Sequence, residues 1–221
     1  MNNTRTKKSF TLPEVLVSIA VIVMVVMAAT NLLVASIRAN AVNINTLIAY
    51  GLAQQGVEAV RNIRDSDWLL GANFQGQIGR QNITPWGESF PSNLGETRFY
   101  TIDRHEAPDM DVTSISQLEN IVPWTLKELS GDKNYGTLSE TALYKKAFGS
   151  NKEVHYTHES QLAEATPFHR YLMVSPVQYA VGEARSSSKK VLRVACIVEW
   201  DEYDVRHSVR LDTELTDWKN N

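Results

Sequence analysis

Between Val15 and Ile37 the chain carries no charged residue, and this apolar run constrains the N-terminus more than any other feature of the sequence. A stretch of this length is enough for a helix to cross the roughly 30 Å hydrocarbon core of a bilayer. The 221 residues as a whole are 43% hydrophobic and 21% charged, the balance of an ordinary folded protein, so the rest of the chain reads as neither disordered nor polytopic. One run means one span, followed by enough chain to bury a core of its own. Met1 to Lys8 is polar and holds Arg5, Lys7 and Lys8 with no acid among them. Basic residues beside a span hold that flank in the cytoplasm, which places the bulk of the chain outside.

Three processing routes fit a basic start followed by an apolar run. A secretory signal peptide would use Ala39-Asn40-Ala41 as its A-x-A site. Against it, the run exceeds a typical h-region of roughly 7–15 residues, Arg38 intervenes, and helical patterning continues through the cut. A lipoprotein signal would need a cysteine there, and the one cysteine is Cys196. An uncleaved signal anchor needs only the features already named.

The third route rests on individual residues. Lys7-Lys8-Ser9-Phe10-Thr11-Leu12-Pro13-Glu14-Val15-Leu16-Val17 resembles the signal of type IV pilins, type II secretion pseudopilins and competence pseudopilins. The resemblance implies a leader of residues 1–9, cleavage by a prepilin peptidase between Ser9 and Phe10, methylation of the new Phe10 amine, and Glu14 as the acid at the fifth mature position. It further implies that Glu14 pairs with the N-terminal ammonium of a neighbouring subunit. Ser9 stands where that family usually has glycine, which lets a peptidase approach the backbone closely; slower processing is expected.

Read from the residues alone, Thr11-x-x-Glu14 is also a capping box, with an acid suited to the helix dipole. Pro13 fits a first turn, where its missing N–H has no helical partner to lose. A cap and an assembly acid are compatible roles. A carboxylate at mid-bilayer costs about 2.5–3.5 kcal/mol and so usually has a partner.

The helix is expected from Phe10 to about Asp67: a transmembrane and assembly half over 10–37, then an amphipathic half over 38–67. Ile44, Leu47, Ile48, Leu52, Gly56, Ala59, Val60 and Ile63 recur at helical spacing and read as one buried face, with Gln54, Glu58 and Arg61 opposite. Gly51 and Gly56 mark either close packing or bends.

Residues 68–221 read as a globular head. Trp68 to Leu94 is loop-like in composition. A strand is expected over Glu96–Ile102, and with weaker support a short strand or turn near Trp124 and a short strand over Ala142–Ala147. Clearer strands cover Phe168–Val174, Val191–Trp200 and Val205–Leu215, with Gly182–Lys190 a polar loop and Asp201–Asp204 a hairpin connection. The fold class is therefore α+β: a long N-terminal helix packed on a C-terminal antiparallel sheet of three or four strands. The order Thr166-Pro-Phe-His-Arg-Tyr171, Val198-Glu-Trp200 and Thr213-Glu-Leu-Thr-Asp-Trp218 is similar to PilV-like minor pilins and I/J-type pseudopilins.

Signals for chemistry are absent. His155-Tyr-Thr-His158-Glu159 lacks the H-E-x-x-H order of a helical zinc site and reads as surface histidines. No nucleophile elbow or phosphate loop occurs, so no catalytic residue, metal or cofactor is expected. Cys196 allows no intramolecular disulfide and sits in a run that reads as buried. The five tryptophans mostly read as packing residues. The net charge is −3, and removing residues 1–9 would leave 19 basic against 25 acidic residues. Bulk charge thus gives no support to a nucleic-acid partner, although a local basic patch could bind one alone. The expected partners are a prepilin peptidase and methylase, membrane lipid before assembly, an assembly platform protein, and other pilins or pseudopilins in a surface or periplasmic filament. The irregular span 68–165 suits a minor or tip subunit. The runner-up is an uncleaved, single-pass surface binding protein.

Overall fold

A computed structural model describes residues 11–69, 97–104, 124–129, 135, 138–148, 153–161, 163–177 and 191–216. Helix α1 covers Leu12–Leu69, 58 residues without a break. It follows Thr11 directly, and the backbone N–H groups of Glu14 and Val15 donate to the Thr11 carbonyl. The helix runs two residues beyond the expected end, into what composition suggested was loop. The chain divides into two compact units, Met1–Asn45 and Thr46–Asn221.

In the first unit every residue from Thr11 to Asn40 is exposed. This is one helix long and apolar enough to cross a membrane, with a mean hydropathy of 2.6 over its most apolar window. Its hydroxyls are turned inward: Ser18 Oγ donates to the Glu14 carbonyl and Thr30 Oγ1 to the Val26 carbonyl, each at 2.8 Å. Such back-bonding occupies a donor that lipid could not satisfy.

In the second unit the remainder of α1 lies on an antiparallel sheet. Its strands are β1 (Arg98–Arg104), β2 (Trp124–Glu128), β3 (Ala142–Phe148), β4 (Glu153–Thr157), β5 (Glu164–Val177), β6 (Val191–Glu202) and β7 (Val205–Thr216). A 3-10 turn, Ser139–Thr141, leads into β3. The three C-terminal strands form the expected meander, and four further strands bring the sheet to seven among the described residues. The β6–β7 hairpin turns through Tyr203 and Asp204, both at positive φ (51° and 61°), the backbone a two-residue hairpin of this twist requires.

β5 organises the sheet. One edge pairs with β6 from Phe168↔Trp200 to Val177↔Val191. The other edge is shared: β1 takes residues 172–174 and β3 takes residues from His169 back to Glu164. β2 extends β1 and β4 extends β3. The sheet therefore forks at β5 into two arms, β1–β2 and β3–β4.

The helix face against this sheet differs from the expected one. Leu52, Ala59, Val60 and Ile63 are buried as anticipated, joined by Ala49, Ala53 and Val57. Ile44 and Leu47 are instead 53% and 74% exposed. The reason is helical phase: Ile44 stands about five whole turns below Asn62, and Leu47 about three below Glu58, both outward positions. Apolar spacing alone joined two stripes on opposite sides.

Gly56 is a site of close packing. A Cβ built there would lie 2.5 Å from Cys196 Sγ and 3.5 Å from Cys196 Cβ. Gly51 is exposed, and a Cβ there meets nothing within 4 Å. Unfolding experiments on the full chain in detergent should separate the two. Gly51→Ala is expected to stabilise by about 1 kcal/mol through helix propensity, whereas Gly56→Ala destabilises. Adding Cys196→Ala to Gly56→Ala should restore much of the loss, with a coupling of about 0.5–3 kcal/mol. Simple additivity of the two changes would disprove the contact.

Candidate functional site

Two places concentrate the residues singled out in the sequence. The first is the start of α1. Thr11 and Glu14 are exposed there, one before the helix and one in its first turn. Arg5, Lys7, Lys8, Ser9 and Phe10 lie outside the described residues, as does the polar loop 182–190. Downstream, the exposed apolar residues continue past Arg38 as Ile44, Leu47 and Tyr50.

The second place is a polar node between α1 and the forked sheet. Arg170 of β5 points inward and is fully buried. Its guanidinium donates to Gln55 Oε1 of α1 (2.9 Å) and to the Ile102 carbonyl of β1 (2.8 Å), while Nε finds no partner. Burial lowers its pKa, countered by Cys196 and Asp103, yet an arginine starting above 12 keeps its proton. Beneath Gly56, burial pushes the Cys196 thiol up to about 11, which leaves it unreactive at neutral pH.

Asp103, near the end of β1, is the acid of this node. Its Oδ1 accepts from the His158 backbone N–H (2.8 Å) and Thr157 Oγ1 (3.3 Å), and lies 2.9 Å from His158 Nδ1. Burial alone would raise its pKa. The His158 ring, its backbone N–H and the charge on Arg170 outweigh that and hold it below the usual carboxylate value. The other ring nitrogen, His158 Nε2, is 3.1 Å from the Arg170 carbonyl.

His158 is thus no surface histidine: its side chain is 6% exposed. The sequence shows two imidazoles near an acid but cannot show Asp103, 55 residues away, arriving at the ring of His158. His155, on β4, is half-buried beside Lys146 of β3. Among the described residues no group of three or more His, Cys, Asp or Glu side chains could hold a metal ion. Trp200 is buried and stacks on His207, with ring centroids 5.3 Å apart; Trp124 packs against the core.

Gln55 was not anticipated either, since helix phase alone sets it beside the exposed Gln54. The pair provides an internal control. Gln55→Ala strips an acceptor from a buried guanidinium and should cost about 1–3 kcal/mol, while Gln54→Ala should stay within about 0.5 kcal/mol. Denaturant unfolding of the two variants checks this, and equal effects would argue against the buried bond.

Compared with protein-family models, with curated proteins and with solved structures, the chain matches none.

Proposed function

We propose that this chain is a minor pilin or pseudopilin: a structural subunit of a type IV pilus-like filament with no chemistry of its own. On this reading a prepilin peptidase cuts between Ser9 and Phe10, Phe10 is N-methylated, and Glu14 meets the new ammonium of a neighbouring subunit. The subunit waits in the cytoplasmic membrane, head outside, before an assembly platform packs it helix to helix.

The observation that carries the reading is where the exposed apolar surface of α1 ends. Val15 to Ile37 already fills a bilayer core. Ten residues further along a helix is about 15 Å, beyond the reach of lipid tails, yet Leu47 is 74% exposed and Tyr50 52%. A plain membrane anchor leaves these side chains in water; a neighbouring helix covers them. The leader charges Arg5, Lys7 and Lys8 and the motif around Phe10 supply the processing half of the argument.

Mass analysis of the protein from its native membrane tests the proposal. The expected chain begins at N-methyl-Phe10, with Ser9→Gly accelerating its appearance. Glu14→Val and Leu47→Asp should be processed normally yet be depleted from sheared filaments. A chain retaining Met1 to Ser9 would instead identify an uncleaved, signal-anchored surface protein.

A further inference from the structure

Apart from proline, glycine is the poorest helix former, and Gly51 stands in the interior of α1 with nothing in the subunit to require it. Its position is exposed, and a Cβ built there meets nothing within 4 Å. Gly56 is small because Cys196 presses on it; Gly51 stands about 140° away round the helix. Leu47, one turn before Gly51, and Gln54, one turn after it, share its outward face and are exposed as well. Tyr50 flanks them and is also exposed. Along the helix, this face therefore carries an apolar knob, a notch without a side chain, and a carboxamide.

A bare notch beside exposed apolar side chains lets a second helix come closer than the roughly 8–10 Å that separates the axes of ordinary helix pairs. We propose that this second helix belongs to another copy of the chain, and that two copies pair in parallel through Leu47, Gly51 and Gln54. The proposal rests on the reading of Val15–Ile37 as a membrane span, which gives both copies the same direction. Within a filament-forming subunit, the pair is the first contact that assembly makes.

The face is complementary to itself. Knob and notch lie one turn apart, so a two-fold axis running along the pair sets each Leu47 beside the notch of its twin. The same axis brings the two Gln54 side chains together. A carboxamide has both donors and acceptors, so two identical amides satisfy each other. The sheet packs on the opposite side of this stretch, where Ala53, Gly56 and Val60 are buried, so the two heads lie outside the pair. One turn past Gln54 the face ends at Glu58. Arg61 holds that carboxylate at 2.6 Å and donates to Thr213 of β7 as well. The ion pair leaves no net charge there to repel a twin.

The purified full chain in phosphatidylcholine vesicles tests this in the absence of assembly machinery. Leu47→Cys and Gln54→Cys place a thiol on the face; Val154→Cys, on β4 at a position 60% exposed, is the control. Cys196 is buried and stays out of the reaction. Mild oxidation should link the first two variants into dimers and leave the control single. Photobleaching of labelled chains at low density should count two per assembly and no more. Gly51→Leu should weaken pairing about tenfold and leave the single chain folded. Gly51→Ala separates the two roles of the position, since it should steady the helix of the single chain yet weaken the pair. A chain that does not float with the vesicles overturns the membrane reading, and the pair with it. The pair alone is overturned by a chain that floats but stays single, or by one that links no better at Gln54 than at Val154. Equal pairing by Gly51→Leu, or assemblies that grow beyond two, would overturn it too.

Discussion

The head depends on how near α1 comes to the sheet. At Gly56 the helix backbone rests on Cys196 with room for no further atom, and the neighbouring buried positions Ala49, Ala53 and Ala59 are small for the same reason. Short side chains let a helix settle close, and burial of the larger Leu52, Val60 and Ile63 around them then excludes water. Any polar group caught in that layer must find its partner within the protein. Arg170 is such a group. It spans the layer, meeting Gln55 on the helix and the Ile102 carbonyl on β1, so the residue most costly to bury ties the two layers in one register.

The same need for partners explains the polar residues at the fork. β1 and β3 share one edge of β5 because that strand, 14 residues long, outreaches both. Two strands arriving end to end cannot pair every backbone group at their junction, and unpaired carbonyls are costly away from water. His158 covers the Arg170 carbonyl there and Thr141 Oγ1 lies 3.1 Å from His169 Nδ1 beside it. The His158 ring thus stands in for a hydrogen bond that an unbroken ladder would have made.

Legibility in the sequence followed the length scale of each interaction. The long helix and the strands β5, β6 and β7 could be read because apolar period and β-branched content are local properties. The edges of β1 and β3 moved by only a few residues. The buried helix face was half read: Leu47 and Ile48 follow Ile44 at spacings of three and four, but such spacing tolerates a drift in phase that only the packed partner resolves. The role of Gly56 needed Cys196, which lies 140 residues along the chain, and the burial of His158 needed Asp103. Neither pairing leaves a mark on its own neighbourhood. Ser9 and Phe10, where processing is proposed, are the converse case, legible as a motif yet outside the described residues.

The surface of α1 changes along its length. Lipid would accept apolar side chains on every side, as Val15 to Ile37 would offer them. The sheet accepts them on one side, as from Ala49 to Ile63. Beyond Arg38, Ile44, Leu47 and Tyr50 are apolar and exposed. Singly exposed apolar residues are ordinary, but three within two helical turns, continuous with a membrane span, form a seam. On the filament reading a neighbour's helix lies there. The membrane then stores the subunit, while the seam above it is the part of the helix that only assembly can bury.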